Sequence, residues 1–208
     1  MSLPVLPLGG VPEELRPPLM QWWERACALP ALVDHYAALP SRLREELPRV
    51  AAASEFVESA LLQDADALAW LGQNDESALR ANADYEQRAA SAPTPPEAEQ
   101  VLREWRRREM LRIAWRDIAG RVSVTDTLRA LSDLADACLR AAAAAARRHL
   151  EAPFGTARNA DSVPVPFIVV AMGKLGGREL NFSSDVDLVF LYAQAGETDG
   201  ARRIDNAE

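Results

Sequence analysis

The stretch from Pro166 to Tyr192 constrains the fold of this 208-residue chain more than any other feature of its sequence. Residues 167–172 form a continuous apolar run rich in β-branched side chains, which is typical of a strand buried on both faces. Glycines then indicate a tight turn that opens a short helix starting at Lys174. Residues 185–192 predict a second strand, which begins with two aspartates. Two strands joined through a glycine-rich turn are therefore expected near the end of the chain.

The two aspartates alternate with apolar residues, so the side chains of Asp185 and Asp187 are expected on one face of the second strand. Val186, Leu188 and Phe190 are expected on the opposite face, toward the core. Two carboxylates one pleat apart repel each other, and a divalent cation between them relieves the repulsion. Mg²⁺ suits the spacing because it takes hard oxygen ligands and shares its coordination shell with phosphates. The pattern therefore predicts a metal-binding carboxylate pair.

The glycine-rich turn has the features of a phosphate-binding site. Its glycines are Gly173, Gly176 and Gly177. They allow the backbone to approach a bound group closely, and the start of a helix aims free N–H groups at an anion. Lys174 and Arg178 add positive charge. A phosphate cradle that faces a metal-binding carboxylate pair is the equipment for phosphoryl or nucleotidyl transfer by metal-assisted displacement.

Each half of this pattern has an ordinary structural explanation when it stands alone. An Asp-x-Asp sequence is common at strand ends and in loops, and glycines often only mark turns. The combination of strand, turn, short helix and paired aspartates in one short block favours the catalytic interpretation.

Most of the chain before this block has the apolar spacing and the proline punctuation of short helices. Segments this short are unstable alone, so they are expected to pack as a bundle. After an extended lead-in over residues 1–12, the predicted helices run from Pro17 to before Pro30, from Ala31 to Leu39, from Ser41 to Leu47, from an N-cap at Ser54 through Leu62, and from Asp64 to Leu71 with Gly72 as its C-cap.

A proline-rich break at residues 91–96 precedes two longer predicted helices. They run from Glu97 to Ala119, ending at Gly120, and from an N-cap at Ser123 or Thr125 to His149, and a loop is expected from Glu151 to Val165. The predicted fold class is α+β, a mostly helical N-terminal region followed by the first strands of an α/β sheet. The predicted division has a helical region over residues 1–95, a long-helix scaffold over 96–150 and an incomplete sheet domain over 151–208.

Six arginines lie on the first long helix and are spread around most of its circumference. They are Arg103, Arg106, Arg107, Arg108, Arg112 and Arg116. Most are expected on a solvated surface, in ion pairs with acids of the same helix such as Glu104 and Glu109. The alternative is that one or two of them reach a phosphate at the glycine-rich turn, because a guanidinium matches phosphate oxygens.

The charge and the apolar content narrow the classes of partner. A formal net charge of −8 disfavours non-specific nucleic-acid binding, since phosphate repels an acidic chain. The sequence contains no apolar stretch of membrane-spanning length and no signal-peptide pattern, so a cytoplasmic location without membrane partners is expected. Cys27 and Cys138 lie far apart in the sequence, in predicted helical segments, and are expected to be reduced thiols.

The segment from Gly173 to Leu188 resembles the signature of the glutamine synthetase adenylyltransferase/adenylyl-removing enzyme family, within the DNA polymerase β-like nucleotidyltransferases. Residues Arg107–Ile118 and Thr127–Ala135 are similar to this family as well. The resemblance covers about residues 100 to 192 with high specificity and the earlier helices less specifically. It implies that the predicted strands open a nucleotidyltransferase α/β sheet.

Enzymes of this family have two nucleotidyltransferase halves, and Asn181–Ser184 resembles the N-terminal, adenylyl-removing half. The resemblance implies Mg²⁺-dependent phosphorolysis of adenylyl-tyrosine on glutamine synthetase, which releases ADP and regulates nitrogen assimilation. Asp185 and Asp187 would hold Mg²⁺, the turn from Gly173 to Gly177 would cradle phosphate, and Ser184 would lie beside the metal pair. The implied partners are glutamine synthetase, ATP or ADP, phosphate, and a PII-type nitrogen-signalling protein.

Two departures from the family pattern bear on activity. The superfamily often has serine after the first glycine where this chain has Lys174, so the phosphate contact is expected to differ there. Sites of this superfamily also take a third carboxylate from a later strand. The acids that follow Tyr192 lie in a loop-like tail and fit that role poorly; they are Glu197, Asp199, Asp205 and Glu208. The chain is therefore expected to be a truncated half, inactive or poorly active alone.

Two other interpretations remain open at this point. The chain could be a helical docking or regulatory module whose nucleotidyltransferase motif no longer turns over. It could also belong to a nucleotidyltransferase that modifies another small or protein substrate.

Overall fold

A computed structural model of the chain describes residues 4–75 and 82–207. The chain forms two compact units, and each unit is assembled from two separate segments. Unit 1 combines Met1–Ala81 with Arg107–Thr127, and unit 2 combines Asn82–Arg106 with Leu128–Glu208. The predicted boundaries near residues 95 and 150 remain a prediction about domains, and they do not coincide with the edges of these units.

Unit 1 is helical over its described residues. A 3₁₀ turn at Glu13–Leu15 precedes α1 (Arg16–Cys27), α2 (Pro30–Ala38), α3 (Ser41–Ala53), α4 (Glu55–Gln63) and α5 (Asp66–Asn74). Prolines stand in the first turns of α1 and α2, where a missing N–H costs no helical hydrogen bond. Ser54 caps α4, because its Oγ accepts a hydrogen bond from the N–H of Val57 at 3.3 Å. Proline and cap chemistry thus predict these helix starts to within one or two residues.

The predicted end of α3 before Pro48 is wrong, because the helix runs through this proline to Ala53. Proline removes one helical hydrogen bond and crowds the carbonyl four residues earlier, which normally ends or kinks a helix. Here Leu43, Leu47 and Val50 on the same helix are fully buried. The burial of these apolar side chains offsets the local cost of the proline.

The predicted C-cap at Gly72 is also wrong, because α5 continues to Asn74. A Cβ at this position would lie only 3.1 Å from Cδ2 of Leu39. The glycine therefore allows α5 to approach the segment after α2 closely, and it does not end the helix.

The core of unit 1 is built around buried tryptophans, together with leucines from all five helices and from Leu111 further along the chain. A buried indole N–H must find an acceptor to avoid a desolvation cost. The three tryptophans of this core each have an acceptor. The indole N–H of Trp22 donates to the carbonyl of Glu58 at 3.1 Å, and that of Trp23 to the carbonyl of Pro4 at 2.9 Å. The indole N–H of Trp115 donates to the carboxylate of Glu46 at 2.7 Å.

Three further helices are α6 (Asn82–Ser91), α7 (Pro95–Ile118) and α8 (Val124–Phe154). Ser123 caps α8, with its Oγ accepting from the N–H of Asp126 at 3.2 Å. The predicted end of α8 at His149 is too early by five residues, since the last turn closes with the N–H of Gly155 on the carbonyl of Glu151. Gly155 has φ +78° and ends the helix in the left-handed region.

The described residues include two separate two-stranded sheets, both antiparallel. Strand β1 (Ala157–Asn159) pairs with β4 (Gly196–Thr198), and β2 (Phe167–Ala171) pairs with β3 (Leu188–Tyr192). The presence of β1 corrects the predicted loop, and the presence of β4 corrects the predicted loop-like tail. The one-turn helix α9 (Gly173–Gly176) connects β2 toward β3. A helical N-terminal part followed by strands confirms the predicted α+β class.

The prediction that the first strand is buried on both faces is wrong for this structure. Phe167 of β2 and Phe190 of β3 are 63% and 60% exposed, and their rings stack on each other with centroids 5.7 Å apart. A strand becomes buried on both faces only when neighbouring layers cover the sheet. In the described residues β2 pairs with β3 alone, so the apolar side chains of both strands remain largely exposed.

The two cysteines agree with the prediction from the sequence. Cys27 and Cys138 are both half-buried and form no disulfide, and burial raises the pKa of the Cys27 thiol. No helix in the described part of the chain has the length and apolarity needed to cross a membrane.

Candidate functional site

The glycine-rich turn, Gly173–Gly177, follows β2 directly and contains α9. Gly173 has φ +55°, a backbone conformation that favours glycine. A Cβ on Gly176 would lie 2.6 Å from the carbonyl oxygen of Ala171, so only glycine fits where the turn folds back on β2. A Cβ on Gly177 would lie at an ordinary contact distance of 3.6 Å from the carbonyl oxygen of Gly173. The geometry therefore favours glycine at position 173 through its positive φ, requires glycine at 176, and does not require it at 177.

The N–H groups at the start of a helical turn have no partner within the turn, because their acceptors would lie before its first residue. The N–H groups of Gly176 and Gly177 donate to the carbonyls of Met172 and Gly173 at 3.1 and 3.0 Å. The N–H groups at the start of α9 come before these two hydrogen bonds in the chain, and they lie on an exposed segment. The turn can therefore offer backbone N–H groups to an anion, as the sequence predicts.

Asp185 and Asp187 precede β3 and are not part of it, which corrects the predicted strand start at Asp185. Both side chains are exposed, and so is Val186, which is 38% exposed and does not face a core as predicted. The carbonyl of Asp187 accepts a hydrogen bond from the N–H of Met172 at 2.9 Å. This bond extends the β2–β3 ladder by one step and holds the Asp pair beside the beginning of the glycine-rich turn.

A polar contact crosses the site from the turn to the residue before the Asp pair. The ammonium of Lys174 donates to Oγ of Ser184 at 3.3 Å, and this hydroxyl donates to Oδ1 of Asn181 at 2.6 Å. Lys174 is exposed and Ser184 is half-buried. The positive charge of Lys174 therefore lies next to the stretch that carries Asp185 and Asp187.

The side chain of Arg178 is held by helix α8. Its guanidinium pairs with the carboxylate of Asp133, and its Nη1 lies 3.4 Å from Oδ2 of Asp136. Two residues later the N–H of Leu180 donates to Oγ of Ser132 at 3.2 Å. The sequence predicts Arg178 as a phosphate ligand and misses this partnership, since the partners lie more than 40 residues earlier in the chain.

Of the acids that the sequence offers as poor candidates for a third ligand, Asp199 stabilises the β1–β4 sheet. Asp199 accepts the N–H of Thr156 at 2.7 Å and pairs with Arg158. The hydrogen bond from Arg158, followed by that from Thr156, lowers the pKa of Asp199 below its ordinary value. Glu197 lies in β4, the carboxylate of Asp205 accepts the N–H of Ala207, and Glu208 lies outside the described residues.

Within residues 4–75 and 82–207 no group of three or more potential ligand side chains is placed to hold a metal ion. The Asp pair alone still fits Mg²⁺, which keeps several waters and is commonly held by one or two carboxylates together with substrate phosphates. Asp185 and Asp187 are exposed oxygen donors, and the N–H of Met172 anchors the backbone carbonyl of Asp187. The predicted metal and phosphate ligands remain predictions, and the structure brings most of them to one place.

Three of the six arginines of α7 lie in ion pairs with known partners. Arg103 pairs with Glu99, and Nε of Arg108 lies 3.0 Å from Oδ2 of Asp64. Arg112 pairs with Glu109 at 2.6 Å, and their side chains are only 5% and 1% exposed. This last pair is buried and not solvated as predicted. Its signal in the sequence is an i, i+3 pair of opposite charges inside an apolar stretch.

Comparison with known proteins adds an independent finding. The family model described as glutamate-ammonia ligase adenylyltransferase matches residues 44–208. A bifunctional glutamine synthetase adenylyltransferase/adenylyl-removing enzyme of Thioalkalivibrio sulfidiphilus is 40% identical over 100% of this chain and 22% of its own length. A protein of the same name from Pseudomonas aeruginosa is 36% identical over 100% of this chain. Another, from Vibrio parahaemolyticus, is 38% identical over 81% of this chain. In these two the match covers 22% and 18% of the relative, so the chain spans about a fifth of the length of these relatives.

Proposed function

This chain belongs to the glutamate-ammonia ligase adenylyltransferase family, and from that membership we propose that its site supports Mg²⁺-dependent nucleotidyl transfer on glutamine synthetase. The proposed reaction is the removal of AMP from an adenylylated tyrosine. An oxygen of inorganic phosphate forms a bond to the phosphorus of the AMP group, and the bond from that phosphorus to the tyrosine oxygen breaks. The products are ADP and glutamine synthetase with a free tyrosine.

One observation carries this proposal: the hydrogen bond from the N–H of Met172 to the carbonyl of Asp187. It holds the glycine-rich turn and the Asp pair at the same end of the β2–β3 sheet. Phosphoryl and nucleotidyl transfer needs little covalent chemistry from a protein, and depends on positioning and on neutralising the charge of phosphate oxygens. A phosphate cradle next to a carboxylate pair meets both needs.

Each residue then has a defined task. Asp185 and Asp187 hold Mg²⁺, which when bound neutralises the charge that develops on the phosphate oxygens. The N–H groups at the start of α9 bind phosphate oxygens, and Lys174 adds a positive charge to the same region. Ser184, anchored on Asn181, orients the ammonium of Lys174.

The choice of the adenylyl-removing direction has its own support. The stretch Asn181–Ser184 resembles the adenylyl-removing half, and its asparagine and its last serine form the hydrogen bond that positions the hydroxyl next to Lys174. The names of the relatives include both the adding and the removing activity. Glutamine synthetase is the proposed protein substrate, ATP or ADP and phosphate are the proposed small ligands, a PII-type protein is the proposed regulator, and the cytoplasm is the proposed location.

The test measures ADP released from adenylylated glutamine synthetase in the presence of phosphate and Mg²⁺. It compares the full polypeptide that the gene encodes with a form carrying Asp185→Asn and Asp187→Asn. Loss of ADP formation in the double variant is expected, because two of the charged ligands are neutralised at unchanged size. The matched control is Asp161→Asn, an exposed aspartate in a loop of the same unit. Unchanged ADP formation in the double variant would show that the site assignment is wrong.

The same experiment, run on the 208-residue chain, separates the two other interpretations. A docking module retains adenylylated glutamine synthetase on a column but forms no ADP. A nucleotidyltransferase for another substrate does neither.

A further inference from the structure

We propose that Arg178 is a positioning residue that clamps the glycine-rich turn onto helix α8, and that it does not bind phosphate itself. The clamp consists of Ser132, Asp133 and Asp136 on α8, and of Arg178 and Leu180 on the segment after the turn. All five residues belong to unit 2. The inference rests on the proposed function, in which the turn is the phosphate-binding element.

The first step of the argument is the backbone of Arg178. Its φ is +58°, in the left-handed region that residues other than glycine rarely adopt. Such a residue persists only where the surroundings hold it in place. Here the guanidinium is held by two carboxylates, and the strained residue directly follows the turn.

The second step is the anchor at Ser132. This serine is fully buried, its hydroxyl donates to the carbonyl of Leu128 at 2.9 Å, and it accepts from the N–H of Leu180 at 3.2 Å. Leu180 is itself buried, at 7% exposure. A buried N–H without an acceptor is costly, so the hydroxyl fixes the chain just after Arg178.

The third step is the charge on α8. Asp133 and Asp136 are three residues apart and therefore lie on one face of the helix, where like charges repel. Arg178 pairs with both carboxylates, and its positive charge reduces the repulsion between them. Because two carboxylates share its guanidinium, an anion would have to compete with both of them for Arg178. Among the described residues, the ammonium of Lys174 donates to the hydroxyl of Ser184 and pairs with no carboxylate, so Lys174 is the cation of this segment that is suited to phosphate.

Hydrogen–deuterium exchange of residues 173–181 in the 208-residue chain tests the clamp without any need for activity. Arg178→Ala, and the pair Asp133→Asn with Asp136→Asn, should each speed exchange about threefold, since the ion pairs are half-exposed. Ser132→Ala should speed it about tenfold, because the N–H of Leu180 loses its acceptor. Arg147→Ala, which removes an exposed ion pair with Glu151 on the same helix, is the control and should change nothing in this segment.

The binding of ADP with Mg²⁺, measured by calorimetry, separates the clamp from direct phosphate binding by Arg178. The clamp predicts that Arg178→Ala and the Asp133→Asn, Asp136→Asn pair weaken binding equally, and that Arg178→Lys lies between these variants and the parent. If Arg178 is a phosphate ligand, neutralising the aspartates frees it and tightens binding, which would overturn the proposal. Unchanged exchange in Arg178→Ala would overturn it as well. If the parent chain binds no ADP, the proposed function is in doubt while the exchange result still decides the clamp.

Discussion

The N–H of Met172 donates to the carbonyl of Asp187 at 2.9 Å, and this single backbone contact holds Asp187 beside the residue that precedes the glycine-rich turn. Because the contact uses only main-chain atoms, it does not depend on the side chain of Asp187. The position of the residue and the chemistry of its side chain can therefore be separated by mutation.

Asp187→Asn is expected to weaken Mg²⁺ binding about tenfold or more, because the number of charged oxygen ligands sets the affinity of such sites. The unfolding midpoint should stay unchanged, because the backbone contact with Met172 remains. Calorimetric titration of Mg²⁺ in the presence of ADP, together with thermal unfolding, measures both. Asp161→Asn is the control, and a shifted unfolding midpoint in Asp187→Asn would contradict the separation of roles.

Gly176→Ala is expected to destabilise the turn, while Gly177→Ala is not. The new Cβ at position 176 would meet the carbonyl oxygen of Ala171 at 2.6 Å, whereas at 177 the nearest backbone atom is 3.6 Å away. Forcing a methyl group into a closed contact costs about 1–3 kcal/mol. Urea unfolding of both variants measures the difference, and equal stabilities would show that the turn relaxes freely.

Neutralising one partner of the buried pair in α7 is expected to be costly. Glu109→Gln leaves Arg112 charged and buried, and breaking such a pair costs about 3–5 kcal/mol. The matched control is Glu99→Gln, which removes an exposed pair with Arg103 and should cost less than about 1 kcal/mol. Urea unfolding gives both free energies, and similar values would mean that the burial of Glu109 carries no penalty.

The β1–β4 sheet should loosen in acid. The pKa of Asp199 is lowered below 3.8 in the folded chain, so its contribution to stability is present above that value and is lost as pH falls through the lower folded pKa. The protection of the Thr156 amide, corrected for intrinsic exchange, should drop over this range. Asp199→Asn should show low protection at every pH, and a parent chain without acid sensitivity would contradict the prediction.

The exposed apolar faces of the β2–β3 sheet should bind the dye ANS. Phe167 and Phe190 stack on one face and are each at least 60% exposed, which makes a contiguous patch. Phe190→Ser is expected to reduce the fluorescence of bound ANS by about half, since it removes one ring of the stacked pair. Leu150→Ser on α8, a single apolar residue that is 57% exposed, serves as the control and should change the signal little.

Local chemistry predicts the helix starts well and the helix ends less well. Prolines and Ser54 act within one turn, so their effect can be inferred from neighbouring residues. Pro48 and Gly72 differ, because burial of the helix in the core decides the outcome at Pro48 and the close approach of Leu39 decides it at Gly72. Such packing depends on contacts between segments that no local pattern specifies.

In the candidate site as well, local sequence patterns predict some features, and contacts between distant segments decide the others. The alternation around Asp185 and the spacing of the glycines predict which residues meet, and the structure places the turn and the Asp pair together. The partners of Arg178 were not predicted, since they lie on a helix more than 40 residues earlier. The burial of β2 was predicted incorrectly, because a strand pattern indicates what a sheet could cover but not whether other layers are present.

The division of each unit into two chain segments has a consequence for synthesis on the ribosome. The core of unit 1 includes Leu111, Ala114 and Trp115, which are made only after the first segment of unit 2, Asn82–Arg106. The early helices therefore keep part of their apolar surface exposed until α7 has emerged from the ribosome. Nascent chains that stop before Arg107 are expected to engage holding chaperones, and chains that extend past Thr127 are expected to release them.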